Sequence, residues 1–196
     1  MSSQSRVDML ALTDARERAA QCGIPDAMAE LSVFRIALHQ PPVAVALHGM
    51  LEALLWKGAL DARLRELIIM RIGWVTDSVY EWTQHWRVAR LLDVPERDLL
   101  GVRDWQNAGH FGEAERAVLA ATDETLRDGT ISDETWAECQ RALHGDPAVL
   151  VELEDPDAHE GTAPSGAGDV HGVAALALGG VAAFLEPGPG AVEAVS

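Results

Sequence analysis

Residues 65–90 decide how the fold is interpreted, and they read RELIIMRIGWVTDSVYEWTQHWRVAR. The apolar residues around the first half fall at helical spacing: Leu64, Leu67, Ile68 and Ile72. A turn follows, and then a second segment with the spacing of a helix. Because residues three and four apart share one face of an α-helix, the pattern predicts two consecutive helices, 60–74 and 78–92. A tight antiparallel hairpin would bring their faces together.

Helical spacing recurs in most of the remaining chain, whereas strand signals are scarce. Further helices are predicted at 13–21, 27–39, 43–56, 93–102, 112–129 and 133–143. The segment 43–56 is apolar on all sides, which predicts a central position in the fold. These patterns predict an all-α fold, with one helical domain over residues 1–154.

The composition changes after Glu154. Residues 155–196 contain no Lys, Arg or Trp, and they hold 8 of the 17 glycines and 4 of the 9 prolines. A segment so rich in Gly, Pro and Ala buries too little surface to offset its ordering entropy. We therefore expect a low-complexity, poorly ordered tail, in which only 173–185 could form a short helix.

Charge and apolar runs exclude several classes of partner. The formal net charge is −16, so the chain lacks the excess of Lys and Arg that a nucleic-acid backbone or an anionic membrane surface requires. The longest apolar run, 173–185, has 13 residues and is too short to span a bilayer. The N-terminus lacks the apolar run of a signal peptide. We expect a cytoplasmic protein that binds neither nucleic acid nor membrane, and its Arg- and Ala-rich composition suggests a bacterial source.

Cys22 and Cys139 are the only cysteines, and they lie far apart in the sequence. They form no C-x-x-C pair, which argues against a redox motif or a zinc site built on them. We expect two buried free thiols in a reducing cytosol.

The second helix of residues 65–90 carries a candidate site. Ser78, Glu81 and His85 occupy positions i, i+3 and i+7, which share one helix face. Glu66 on the preceding helix could reach the same face in the hairpin. Burial and a like-charged neighbour raise the pKa of a carboxyl group, and an imidazole can shuttle a proton. The set is suited to general acid–base catalysis near neutral pH.

The same residues also fit an interpretation without catalysis. Ser78 and Glu81 match an S/T-x-x-E capping box, in which the glutamate would bond the amide of the cap residue. His85 could pair with Glu81 on an exposed face, and Glu66 could pair with an arginine. Glu81 and His85 supply only two metal ligands, whereas a catalytic metal site needs a third, so we expect no metal and no cofactor. Spacing alone leaves the catalytic and capping interpretations open.

The two motifs together resemble the core signature of the carboxymuconolactone decarboxylase family, whose superfamily also contains the AhpD-like alkylhydroperoxidases. In that signature a Glu in an R-E-L-(I/V) helix is followed by a short motif that ends in His. Glu66 matches the first position and His85 the last, and Tyr80, Glu81 and Trp82 match the Y-E-W-x-x-H form. The resemblance covers roughly residues 35–145 and implies an AhpD-like helical fold, a small-molecule substrate and a homo-oligomer.

The resemblance implies a carboxy-lyase-like reaction: cofactor-free decarboxylation, or a related proton transfer, on a small carboxylated lactone or organic acid. Glu66, Glu81 and His85 would be catalytic, with Glu81 or His85 as the acid and Glu66 orienting its partner. Substrate-binding roles are expected for Arg71, Ser78, Trp74 and Trp82. Arg71 could bind a carboxylate bidentately, and the two tryptophans could form a wall of the pocket.

The chain departs from the peroxidase branch of this superfamily. A C-x-x-C pair does the redox work there, and the matching positions here are Ser78 and Glu81. Thiol–disulfide exchange needs a thiolate and a resolving thiol, so peroxiredoxin-type activity is not expected through this motif. Two alternatives to the decarboxylase are an AhpD-like alkylhydroperoxide reductase with a reactive thiol, and a non-catalytic helical oligomer.

Overall fold

Apolar residues at helical spacing fold the chain into helices throughout residues 7–153, the part that the computed structural model describes. The α-helices are α1 (Leu12–Cys22), α2 (Asp26–Ala29), α3 (Ser32–Ala37), α4 (Pro41–Trp56), α5 (Ala62–Val75), α6 (Val79–Leu91), α7 (Glu96–Gly101), α8 (Glu113–Asp128), α9 (Asp133–Ala142) and α10 (Pro147–Leu150). A 3₁₀ segment, Val102–Asn107, continues α7. These described residues contain no β-strand, which confirms the predicted all-α fold.

The predicted tail, 155–196, lies outside the described residues, and so does the short helix expected at 173–185. The domain boundary at residue 154 therefore stays a prediction. Within residues 7–153, every helix is too short or too polar to cross a membrane.

Local capping chemistry sets where several helices begin and end. Asp61 accepts hydrogen bonds from two amides in the first turn of α5. Ser132 accepts one from the amide of Thr135 at the start of α9. Helix α8 ends at Gly129, whose φ of 77° lies in the left-handed region that glycine adopts without strain.

Two predictions about the N-terminal helices are wrong. The segment 27–39 is not one helix, because Leu31 is extended and divides it into α2 and α3. Helix α4 is not central: it packs against α1 and α3, and only Ala44 and Leu51 are buried. Its exposed apolar residues are Val43, Val45, Met50 and Trp56. The apolar residues on all sides of α4 therefore leave an apolar surface rather than a core position.

Helices α5 and α6 form the predicted antiparallel hairpin, and α5 lies at the centre of the fold. Helix α5 packs against both α6 and α8, and the whole predicted apolar stripe is buried. Gly73 lies where α5 and α6 approach each other. A Cβ atom built there would be 3.2 Å from the amide nitrogen of Trp82 and 3.4 Å from Cβ of Glu81. The absence of a side chain at Gly73 permits this approach and sets the distance between the facing side chains.

The end of the described chain is tied to the loop between α4 and α5. Oε1 of Glu152 accepts hydrogen bonds from the amides of Ala59 at 2.6 Å and Leu60 at 3.1 Å. Glu152 is buried, and its carboxylate lies against Gly58. A buried carboxylate that accepts amide hydrogen bonds fixes the loop that leads into α5.

Candidate active site

The hairpin brings the side chains of three predicted site residues into contact, and this set is here called the Glu66–His85–Glu81 triad. Nδ1 of His85 lies 2.8 Å from Oε2 of Glu66. Nε2 of the same ring lies 3.5 Å from Oε2 of Glu81, a long contact between positions i and i+4 of α6. The imidazole therefore bridges a carboxyl group of α5 and a carboxyl group of its own helix.

The triad is almost completely buried. Glu66 is 0% exposed and Glu81 is 5% exposed. Oε1 of Glu66 lies 3.3 Å from Nε of Arg65, which compensates the carboxylate charge. Since a carboxylate only accepts hydrogen bonds, Glu66 holds a hydrogen on Nδ1 of His85 and leaves Nε2 facing Glu81. Glu66 thereby sets both the orientation and the tautomer of the ring.

Burial raises the pKa of the Glu81 carboxyl group above its ordinary value. Attraction to His85 opposes this rise, and the negative charge of Glu66 adds to it. A carboxyl group with a raised pKa retains its proton closer to neutral pH and can exchange it with a neighbouring base. Glu81 and the imidazole can therefore act together as donor and acceptor of a proton.

Ser78 caps α6, but only half of the anticipated capping box forms. Its Oγ accepts a hydrogen bond from the amide of Glu81 at 3.4 Å. The amide of Ser78 donates to the carbonyl of Gly73 at 2.9 Å, so it is not available to the glutamate carboxylate. The Glu81 carboxylate instead faces His85. Ser78 does not line the cavity beside the triad, and the expected substrate contact gains no support.

A cavity of about 170 Å³ opens beside His85 and Glu81. Its lining residues are Met28, Leu31, Val33, Leu51, Leu55, Trp56, Tyr80, Glu81, Gln84, His85 and Val88. Helix α6 supplies the polar groups, and α2, α3 and α4, together with Leu31 between α2 and α3, supply an apolar wall. Trp56, which is 58% exposed, lies at the rim. An apolar cavity of about 150 Å³ can hold benzene, so the volume suits a ring-sized molecule.

Tyr80 and Gln84 line the cavity, although the sequence did not assign them to the site. Burial, with a smaller effect of the Glu81 charge, raises the pKa of the Tyr80 phenol to about 12, so the hydroxyl is a donor at neutral pH. Gln84 lies three residues after Glu81, and helical spacing alone could have identified it. The apolar wall gives no such signal, since it comes from helices distant in sequence.

Arg71 does not line the cavity beside the triad, and its role in binding a substrate carboxylate stays a prediction. Nε and Nη2 of Arg71 donate to the two carboxylate oxygens of Asp123 at 2.6 and 2.9 Å. Nη1 donates to the carbonyls of Val102 at 2.8 Å and Arg103 at 3.0 Å. The guanidinium therefore joins α5 to α8 and to the 3₁₀ segment.

Trp74 and Trp82 are also absent from the lining of this cavity, and their predicted role as a pocket wall gains no support from it. Their ring centroids are 5.7 Å apart. The guanidinium carbon of Arg103 lies 4.9 Å from the first ring and 4.8 Å from the second. These distances are typical of cation–π contacts, and Trp74 is 44% exposed. The two tryptophans and Arg103 therefore form a cluster at the surface.

Neither cysteine lines the cavity beside the triad. Cys139 is buried, its Sγ donates to the carbonyl of Ala117 at 3.5 Å, and burial raises the pKa of the thiol to about 11. Since the thiolate is the reactive form, Cys139 is protected from thiol chemistry. Cys22 is partly exposed in α1. In the described part of the chain, no group of three or more His, Cys, Asp or Glu side chains is arranged to hold a metal ion.

One of three comparisons with known proteins gave a match. Residues 41–124 match the model of the carboxymuconolactone decarboxylase family, abbreviated CMD. This stretch includes α4, the α5–α6 hairpin and most of α8, and hence the whole triad. Searches of curated proteins and of solved structures gave no match. The match confirms the resemblance inferred from the sequence: residues 41–124 are similar to the carboxymuconolactone decarboxylase family.

Proposed function

We propose that the chain is a cofactor-free enzyme that transfers a proton to or from a carbon atom of a small organic molecule. The observation that carries this proposal is the buried Glu66–His85–Glu81 triad, whose His85 and Glu81 line a ring-sized cavity. A perturbed carboxyl group and an imidazole beside such a cavity are the usual equipment of general acid–base catalysis. The family match supports the same class of reaction.

Decarboxylation of a small lactone acid is the reaction that the family name suggests. When the bond to the carboxylate breaks, carbon dioxide leaves and the electron pair stays on the substrate as a dienolate-like anion. Glu81, whose carboxyl pKa is raised by burial, then gives its proton to carbon. A proton taken up from solvent at Nε2 of His85, 3.5 Å away, then passes to Glu81 and restores its carboxyl group. Glu66 holds the ring from its other nitrogen during this exchange.

Proton transfer without loss of carbon dioxide would use the same groups, and the position of Tyr80 favours it as a second candidate. Glu81 or Nε2 of His85 would accept a proton from a carbon next to a carbonyl. The electron pair of the C–H bond would move to the carbonyl oxygen, and the Tyr80 hydroxyl could donate a hydrogen bond to that oxygen. Return of the proton at the same or a conjugated carbon would complete an exchange or an isomerisation.

The two alternatives predict different observations. An AhpD-like alkylhydroperoxide reductase with peroxiredoxin-type activity needs a reactive thiol pair, whereas Cys139 is buried with a raised thiol pKa and Cys22 lies in α1. A non-catalytic helical oligomer would bind ligands in the cavity without turnover. Its ligand binding would then not depend on the acid–base properties of His85 and Glu81.

The test is turnover measured in wild type and in His85→Ala and Glu81→Gln. Carbon dioxide release from carboxymuconolactone and deuterium incorporation from D₂O into small lactones and cyclic ketones would be followed in parallel. His110→Ala is the matched control, since His110 also faces a carboxylate, Asp98 at 3.4 Å, but does not line the cavity. The proposal expects activity that falls at least 100-fold in both triad variants and stays near wild type in the control. Activity that survives in both triad variants would refute it.

Assembly into a homo-oligomer in the cytoplasm is also part of the proposal. The apolar residues that α4 leaves exposed, including Val43, Val45 and Met50, support self-association. Light scattering on the purified chain would measure its mass in solution. A monomer at micromolar concentration would contradict this part of the proposal and leave the acid–base chemistry untouched.

A further inference from the structure

The cavity beside the triad contains acidic and neutral polar groups but no Lys or Arg. Its polar lining consists of Tyr80, Glu81, Gln84 and His85, and the other lining residues are apolar, with the indole of Trp56 at the rim. Glu81 is 5% exposed, so a ligand would contact a carboxyl group that is largely withdrawn from solvent. A carboxylate ligand placed beside it would have no guanidinium or ammonium partner among the lining residues.

Three cations close to the site in the sequence are already paired, and Arg87, which precedes the lining residue Val88, is exposed and does not line the cavity. Nε of Arg65 lies 3.3 Å from Glu66, on the side of that carboxylate that does not face His85. Arg71 donates to both carboxylate oxygens of Asp123. Nζ of Lys57, next to the rim residue Trp56, lies 3.0 Å from Glu52.

The rest of the sequence adds little positive charge. Arg6 is the only Arg or Lys outside the described residues, because none follows Arg141. The imidazole of His85 could carry a proton, but its Nδ1 already faces Glu66 and its Nε2 faces Glu81. A protonated His85 would therefore be balanced by the triad itself. A buried charge without a partner binds poorly, since its hydration is lost and not replaced.

Two neutral polar groups of the cavity are available to a ligand. Tyr80 and Gln84 line the cavity, and within the described part of the chain neither side chain makes a hydrogen bond. Both can donate a hydrogen bond, and the phenol retains its proton because its pKa is about 12. Donors of this kind match a carbonyl, lactone or hydroxyl oxygen on an otherwise apolar ring.

From this arrangement we infer that the cavity takes an uncharged, ring-sized molecule with at least one oxygen that accepts a hydrogen bond, held by Tyr80 and Gln84, and that it disfavours carboxylates. The inference rests on the proposed function, whose site it uses, and it narrows the substrate to neutral cyclic ketones and lactones. It selects proton exchange or isomerisation over decarboxylation. The proton that leaves carbon passes to Glu81 or His85 and returns to carbon, so the step needs no co-reactant.

Binding of a matched pair of probes tests this inference. Cyclohexanone and cyclohexanecarboxylate have the same ring and differ in charge. Each would be titrated at pH 7.5 into the full chain carrying isotope-labelled tyrosine, and Tyr80 gives the only signal because the sequence contains 1 tyrosine. We expect the ketone to shift this signal with a dissociation constant at least ten-fold lower than that of the carboxylate. Tyr80→Phe, followed through the His85 imidazole signals, should weaken ketone binding several-fold. Thr125→Val, which removes a hydroxyl of α8 outside the cavity, should not.

Equal or tighter binding of the carboxylate would overturn the inference, and so would an absence of any Tyr80 shift with the ketone. These results are distinguishable from failure of the proposed function, which is measured by turnover and deuterium incorporation in the triad variants. Tight carboxylate binding with His85-dependent decarboxylation would overturn the ligand class and leave the enzyme proposal standing. Ketone binding without turnover of any tested substrate would support the ligand class and count against the enzyme.

Discussion

Replacing Glu66 by glutamine isolates the contribution of the buried carboxylate to the triad. The Glu66→Gln variant keeps the size of the side chain but loses a charge-assisted hydrogen bond to His85 at 2.8 Å. Hydrogen bonds to charged groups contribute about 1.5–3 kcal/mol, so we expect the free energy of unfolding to fall by about that amount. If the same interaction stabilises the imidazole in the transition state, the rate should fall about 10- to 150-fold.

The structure also predicts a change of tautomer in this variant. Nε of Arg65 needs an acceptor on its side of residue 66, 3.3 Å away in wild type, so the amide oxygen should turn toward it. The amide NH₂ would then face Nδ1 of His85, and the ring hydrogen would move to Nε2. Nε2 would become a donor toward Glu81 and lose its capacity to accept a proton from a ligand.

The assays are urea denaturation and the ¹⁵N chemical shifts of the His85 ring, which distinguish the two neutral tautomers. Glu124→Gln is the matched control. Its carboxylate accepts hydrogen bonds from the amide of Ser132 at 2.8 Å and the hydroxyl of Thr135 at 2.7 Å, but it contacts no histidine. The control should lose stability without changing the His85 signals. An unchanged His85 tautomer in Glu66→Gln would refute the orienting role of the carboxylate.

Three further predictions concern neighbouring groups. Burial raises the pKa of Glu81 in the folded chain above its ordinary 4.5. The stability that the protonated Glu81 carboxyl group contributes is therefore present at low pH and is lost as the pH rises through the pKa of the folded state. Glu81→Gln should therefore gain stability relative to wild type as urea titrations move above pH 4.5, and a constant difference would contradict the burial argument. A thiol reagent should leave Cys139 unmodified in the native chain and modify it after unfolding, whereas rapid native modification would favour the peroxidase alternative. Ser78→Ala should cost about 1 kcal/mol of unfolding free energy through loss of the cap, and Ser78→Asp should restore most of it; equal stability of all three chains would exclude the cap.

The sequence predicted the hairpin because its signals are local. The apolar stripe of α5 and the cap at Ser78 depend on residues within a few positions of each other, and both appear in the structure. The convergence of Glu66 and His85 followed from the same hairpin, since two adjacent antiparallel helices can meet in few ways. Local spacing therefore anticipated the geometry of the triad.

The contacts that the sequence did not predict arise from interactions between distant segments. Arg71 lies on α5, so spacing made it a candidate for the pocket, but Asp123 of α8 takes its guanidinium. Trp74 and Trp82 flank the motif and instead contact Arg103. The partner of a long polar or aromatic side chain is set by tertiary packing, which helical periodicity does not encode. The apolar wall of the cavity was missed for the same reason.

The hydrogen bonds that Glu152 accepts from Ala59 and Leu60 bear on where the chain can be shortened. Both amides lie in the loop that follows Trp56, at the end of the helix that supplies one side of the ligand cavity. Truncation before Glu152 would expose two amides without acceptors and release the end of that helix. The smallest fragment that retains a defined substrate chamber should therefore extend past Glu152, even though the family match ends at residue 124.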